Sequence, residues 1–385
     1  MKVTSHHPRV RYLQELLGIR VPLLLSPMAN AAGSALGAAV TIHGGLGSIP
    51  CASLTPAQLR TEVSKYRDAT PDSTILNLNF FTHTPLSDPK VLNEQSTKWM
   101  SALGPYYKQW GVDPAATTPS TSRSPFDDTS LQLLYELRPS TVSFHFGLPS
   151  GDGALSAIRE ACPGVVILST ATSAAEAVYL RDAGADVIIC QGLRAGGHQG
   201  HFLDTHLKSV KRMNSSPPVG TDVLVKEVFD VIGDTIPLIA AGGISTPTDV
   251  ELMLSCGASG VQVGTAFLLC PEATPNQHLH ANLSHYHASQ RGGNGEGMVV
   301  PTVFTRAFTG GIARGFPTQF TTDVEANADD CVPTFPTASL LLAPLRAKAE
   351  MDGNNLFTSM FAGCPSSSMP MGLTAADVMD SVLGA

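Results

Sequence analysis

Short apolar runs alternate along this chain with Ala-rich stretches whose apolar residues recur at helical spacing. The runs are Pro22 to Met28, Leu46 to Ile49, Ile75 to Asn79, Thr141 to Phe146, Val165 to Ser169, Asp186 to Gln191, Pro237 to Ala241 and Gly260 to Gly264. They run out into Gly, Asn, Ser or Gln, and each has the length of a strand. Between them, Asn30 is placed to cap a helix over Ala31 to Ile42, which Gly44-Gly45 ends. Pro56 opens a helical stretch to Tyr66 from its first turn. Eight strands with helices between them predict an α/β fold, a TIM-like (β/α)8 barrel. An open doubly wound sheet shares this alternation and stays open as the alternative.

An internal echo supports the barrel. Val165 to Leu168 is followed by Thr172-Ser173, Glu176 and Gly184-Ala185. Leu238 to Ala241 is followed, at the same offset, by Ser245-Thr246, Asp249 and Gly257-Ala258. Each copy reads as strand, capped helix, Gly-Ala turn and strand, with Ser173 or Thr246 as N-cap and the acid three residues on completing a capping box. Two regions break the rhythm. Residues near 105–130, and above all Gln109 to Ser130 with its Thr, Ser and Pro, read as an irregular insertion in a barrel spanning 1–270. Residues 271–385 read as an appended, mainly helical segment over the barrel mouth. Its helices are expected over Glu272 to Gln290 and Ala338 to Met351, with a loop at Gly292 to Gly297.

Composition narrows the partners. The 24 Lys and Arg against 32 Asp and Glu give a net charge of −8, without the basic footprint that nucleic acid or an anionic membrane needs. Seven dispersed cysteines with no C-x-x-C pair point to a reducing compartment, and Cys190, inside Val187-Ile188-Ile189-Cys190, reads as a buried thiol. No apolar run approaches the ~18 residues of a membrane span, and the first residues carry no apolar signal region. A cytoplasmic protein is the expectation. The 35 glycines among 385 residues exceed the usual share of about 7%, so their positions become informative.

Several fall where a barrel keeps its chemistry, at the C-terminal ends of the strands. Gly242-Gly243 ends one strand, and Gln262-Val263-Gly264-Thr265 ends the next. Two neighbouring glycine tips allow backbone N–H groups close to a phosphate, although glycine also serves simply to turn strand into helix. Gln191 ends an apolar strand and leads into Gly192-Leu193-Arg194-Ala195-Gly196-Gly197-His198, which presents one imidazole suited to act as a general base. The bland alternative is a solvated loop histidine. A metal set of His198, His201, Asp204 and His206 fits no zinc spacing, so no metal is expected. His278, His280, His285 and His287 read as a solvated or interdomain helix face. Arg194 is able to hold an anion, or is merely exposed.

With these residues in view, the sequence resembles the nitronate monooxygenase family, FMN-dependent barrels formerly called 2-nitropropane dioxygenases. Ser26-Pro27-Met28 with Gly44-Gly45-Leu46-Gly47, Asn79-Phe80-Phe81, Gly184-Ala185-Asp186 through Gln191-Gly192, and Ala195-Gly196-Gly197-His198 with Gly200 carry the likeness. So do Ala240 to Ile244, Gln262 to Phe267, Phe308 to Gly315, Pro344-Leu345-Arg346 and Phe361-Ala362-Gly363. The resemblance implies FMN contacts from Met28, Asn79, Gln191, Gly196, Gly242, Gly243, Gln262, Val263, Gly264 and Thr265, the last groups holding phosphate, with His198 as catalytic base. It implies oxidation of alkyl nitronates, and of nitroalkanes, by O2 to a carbonyl compound and nitrite. Arg194 stands where the family usually has Glu, and Cys364 where Gln is usual. Alternatives on the same barrel are an FMN-dependent NAD(P)H reductase of enoyl-thioester type, a specialised biosynthetic flavin oxidoreductase, and a flavin-binding protein without catalysis. A flavin-free enzyme like inosine-monophosphate dehydrogenase lacks its catalytic Cys loop here.

Overall fold

All eight apolar runs become parallel strands in the computed structural model, which describes residues 7–86, 88–115, 123–151, 153–203, 210–215, 220–291, 301–364 and 372–385. They are β1 Leu23–Leu25, β2 Ser48–Pro50, β3 Asn77–Phe81, β4 Thr141–His145, β5 Val166–Ala171 and β6 Val187–Gln191. After a two-residue β7, Gly197–His198, come β8 Leu238–Ala241 and β9 Gly260–Val263. The sheet runs β1-β9-β8-β6-β5-β4-β3-β2, and a parallel bridge from Leu24 to Leu46 joins its two edges. That bridge removes the open-sheet alternative and gives a (β/α)8 barrel.

The barrel is filled from below. Leu13 and Leu17 of the helix Pro8–Leu17 pack, with Ile19, against Leu24, Leu46, Leu168, Ile189 and Ile239. These strand residues have their pleat neighbours, such as Ile167 and Ile188, in the outer cores under the helices. Toward β2 to β4 the interior turns polar: Asn77 Nδ2 donates to Ser48 Oγ at 2.9 Å and to Ser143 Oγ at 3.0 Å. Among the described residues no helix is long and apolar enough to cross a membrane.

Several local expectations are corrected. Asn30 does not cap the first barrel helix; it takes a left-handed φ of 62°, and the helix runs Ser34–Ile42 from Gly33. The carboxylate of Glu62 supplies the missing cap by accepting from Ser34 N at 3.0 Å. Part of the expected irregular insertion is helical, because Pro89–Trp110 continues through Pro105 to the C-cap Gly111. Its residues Trp99, Leu103 and Tyr107, four apart, bury against the helix Thr337–Met351, and this burial outweighs the local Pro and Ser signals. The chain is helical again over Asp128–Leu137, and 116–122 lie outside the described residues.

Beyond residue 271 the helix expected over Glu272 to Gln290 runs Gln277–Arg291, and the loop at 292–297 lies outside the described residues. The segment also contributes a hairpin, β10 Val303–Thr305 and β11 Ala313–Gly315, whose second strand pairs with β7. The last helix, Ala375–Leu383, does not lie over the mouth. Val378, Met379 and Val382 join the outer core beside the helices Ser34–Ile42 and Pro247–Ser255, and Asp380 accepts from His43 Nε2 at 2.6 Å.

The two halves of the internal echo differ in one instructive way. Thr246 and Asp249 form the expected reciprocal box, with Thr246 N donating to Asp249 Oδ2 at 2.8 Å. Glu176 is one methylene longer and fully buried, and it reaches past its cap. One oxygen accepts from Thr172 N at 2.7 Å and the other from Phe202 N at 2.7 Å and Leu203 N at 3.2 Å. The capping acid has become a tie between the start of the helix Ala174–Asp182 and the loop that leaves the His198 segment. Glu176→Gln replaces an acceptor oxygen with an NH2 group facing N–H donors, so we expect a loss of about 2–4 kcal/mol in unfolding free energy. Urea denaturation measures it, and an unchanged midpoint would show that these bonds carry no net stability.

Candidate active site

The strand order and register bring the C-terminal ends of β6, β8 and β9 side by side, with Gln191 opposite Ala241 and Ala241 opposite Gln262. Above them lies a cavity of about 230 Å3. Met28, Asn79, Gln191, Gly196, His198, Gly242, Gly243, Gln262, Val263, Gly264 and Thr265, the residues the resemblance implied for FMN and for the base, all line it. In a chain of net charge −8, the described lining holds Arg123, Arg194, His145 and His198 and no Asp or Glu.

At one end are the glycine tips. Gly242 and Gly243 have φ of 117° and 77°, which a side chain disfavours, and a Cβ on Gly243 would sit 2.8 Å from Cδ of Arg194. The stem of Arg194 therefore lies directly on the β8 tip, and its buried Nε has no hydrogen-bond partner among the described residues. Arg194 to Gly196 runs against Ala362 to Cys364: Cys364 N donates to Arg194 O at 2.9 Å, and a Cβ on Gly196 would meet Gly363 N at 2.4 Å. Gly363 N also donates to Thr265 Oγ1 at 2.8 Å, which ties this wall to the β9 tip.

At the other end is His198. Its backbone is fixed by Gln191, whose Nε2 donates to His198 O at 2.8 Å while its Oε1 accepts from Gly200 N at 2.8 Å. His145 Nε2 donates to the same carbonyl at 3.1 Å, and its Nδ1 meets Thr170 Oγ1 at 3.2 Å. β7 then pairs His198 with Ala313 of the hairpin. The imidazole Nε2 lies 2.9 Å from Thr309 Oγ1, and among the described residues Nδ1 has no partner. Phe81, Phe335 and Phe361 surround the ring, with Phe146, held at a left-handed φ of 73°, behind it.

These surroundings set the charge of the histidines. Burial first, then the nearby Arg123, His145 and His83, hold His198 well below the usual imidazole range. Burial alone lowers His83 to about 4, and burial lowers His145 to about 4. The Arg123 guanidinium is lowered to about 10 by burial and by Arg346. The thiol of Cys190 is pushed up to about 12 by burial, as its apolar run implied.

Sequence reasoning did not select Arg123, His145 or Thr309. His145 was within reach, because it ends β4 as Gln191 ends β6. Arg123 follows a Ser/Thr-rich stretch with no periodicity, and Thr309 reaches the site only through the hairpin. Of the weighed metal set, Asp204 and His206 lie outside the described residues.

The comparisons agree with this geometry. The family model for nitronate monooxygenase matches residues 11–384. The chain is 33% identical over 352 residues to the nitronate monooxygenase of Pseudomonas aeruginosa, covering 90% of this chain and 91% of that protein. It is 32% identical over 361 residues to that of Paraburkholderia phytofirmans, covering 92% and 89%. Among solved structures it resembles nitroalkane oxidase from Streptomyces ansochromogenes, with a TM-score of 0.78, 26% identity and 97% of each chain covered. With the model matched over nearly its whole length, the chain belongs to the nitronate monooxygenase family of FMN-dependent oxidoreductases.

Proposed function

We propose that this protein oxidises alkyl nitronates, and nitroalkanes after loss of their α-proton, with FMN at the barrel mouth and O2 as oxidant. The observation that carries the reading is the convergence of two glycine strand tips and His198 in one cavity lined, among the described residues, by cations and no carboxylate. The residues fit FMN. The tips of β8 and β9 line the cavity, so a phosphate there would meet backbone N–H groups. Asn79 Nδ2 is spent on Ser143 Oγ at 2.9 Å, which leaves its carbonyl oxygen to an incoming donor. Met28, Gly196 and Gln262 to Thr265 complete the contacts. Gln191 lines the cavity, but both ends of its carboxamide hold the His198 loop, so its role is to position.

When bound, FMN supplies the electron acceptor for the nitronate, and O2 completes the oxidation to a carbonyl compound and nitrite. The protein's own groups prepare that event. His198 donates Nε2–H to Thr309, and its Nδ1 lone pair takes the α-proton of a neutral nitroalkane. Because burial keeps the ring neutral, the base is ready across the physiological range. Arg123 faces the same end and draws in the negative charge of the nitronate, while the phenylalanine shell excludes water.

The purified protein should be yellow, and anaerobic mixing with ethylnitronate should bleach the flavin without added nicotinamide. Rapid bleaching by NADPH and none by ethylnitronate would favour the reductase alternative. His198→Asn should keep its flavin while losing about 10²–10⁴-fold in kcat/KM on neutral nitroalkanes, with pre-ionised nitronates far less affected. Equal losses on both substrates would remove the base assignment. The buried histidines also predict acid sensitivity. His83, His145 and His198 are held below the unfolded value of about 6.5, so the unfolded chain binds more protons as pH falls beneath it. Stability should be flat above about pH 7 and decline from pH 6.5 toward 4, read as a falling denaturation midpoint. A midpoint that does not move over that interval would mean that these rings protonate freely in the fold.

A further inference from the structure

Arg194 is the cation that neither the barrel motifs nor the chemistry of His198 uses. Its stem lies on Gly243, whose added Cβ would sit 2.8 Å from Arg194 Cδ and 3.2 Å from Cys364 O. Its backbone carbonyl accepts from Cys364 N at 2.9 Å, and Gly363 beside it bonds Thr265 Oγ1 at 2.8 Å. The side-chain stem thus lies on the β8 tip, at the glycine end of the cavity. Among the described residues its buried Nε has no hydrogen-bond partner, and no carboxylate lines the cavity to neutralise it. The other nearby guanidinium, Arg314, is occupied: it donates to Leu193 O at 2.8 Å and Thr302 O at 3.0 Å and stacks on Phe304 at 4.0 Å. An unpaired buried donor beside glycine strand tips calls for an anion, since a desolvated N–H without an acceptor is costly.

We infer that Arg194 binds the phosphate of FMN directly, adding a charged side-chain contact to the backbone cradle of the β8 and β9 tips. This inference rests on the cofactor reading above and gives it a chain-specific element. The position matters: Arg194 belongs to the glycine end, whereas Arg123 lies near His198, so the two cations serve opposite ends of one cavity. A guanidinium matches phosphate with parallel N–H donors, so the contact favours a phosphorylated flavin over its unphosphorylated core.

The test is equilibrium binding of FMN and of riboflavin to the full-length chain stripped of flavin, read by flavin fluorescence, with and without added inorganic phosphate. The native protein should prefer FMN, and inorganic phosphate should weaken FMN binding but not riboflavin binding. Arg194→Met keeps an apolar stem on Gly243 and should lose about tenfold to hundredfold in FMN affinity while riboflavin affinity stays unchanged. It should also flatten the salt dependence of FMN binding. Arg194→Lys should recover most of the preference. Equal weakening of both flavins in Arg194→Met, or an FMN preference that survives it, would overturn the proposal by leaving Arg194 a packing role only. If the native chain binds neither flavin, the cofactor reading falls and the Arg194 assignment falls with it.

Discussion

The run from Arg194 to Gly200 is gripped from three directions, and the whole mouth of the barrel depends on that grip. From below, the Gln191 carboxamide holds His198 O and Gly200 N in one fork. From one side, β11 pairs with β7. From the other, Ala362 to Cys364 packs backbone to backbone against Arg194 to Gly196, a distance that only glycine at 196 permits. A flexible glycine-rich loop is thereby turned into a rigid mount for one imidazole and one guanidinium. Rigidity of this kind is what positions a base within reach of a proton and a cation within reach of an anion without further ordering cost.

Much of this was legible in the sequence because two strong physical signals coincided. Strands buried on both faces read as unbroken apolar runs, and the eight runs gave the eight strands nearly in place. The rule that chemistry sits at strand C-termini then picked residues that share one cavity. What stayed hidden was set by long-range contact. β7 has two residues and no periodicity, so its pairing with β11 left no local trace. Glu176 carries the signature of a capping acid, but burial sends its carboxylate to Phe202 and Leu203. Gln191 entered as an FMN contact implied by the resemblance, and the bonds of its carboxamide to His198 O and Gly200 N left no mark in the sequence. Asn30 as a cap failed because the orphan N–H of Ser34 found a carboxylate 28 residues away.

Charge is distributed against the average of the molecule. The exterior carries the acidic excess, and the cavity gathers two guanidinium groups and two neutral imidazoles. Keeping the imidazoles neutral is a matter of burial first and of neighbouring cations second, and both act in the same direction at His198. The same desolvation that keeps the ring neutral would make an anion in the cavity strongly held, since fields inside a low-dielectric pocket are little screened. The aromatic shell therefore serves the electrostatics as much as the packing.

The barrel is sealed below by Leu13 and Leu17, so its cavity has a single end at which to open. The wall on that end, Ser359 to Cys364, follows all eight barrel strands in sequence. On the ribosome the eight strands emerge before the wall, and the helix Ala375–Leu383 emerges after it. The order of residues along the chain thus separates the cup from its closing wall, and the last helix then packs on the outside of the cup.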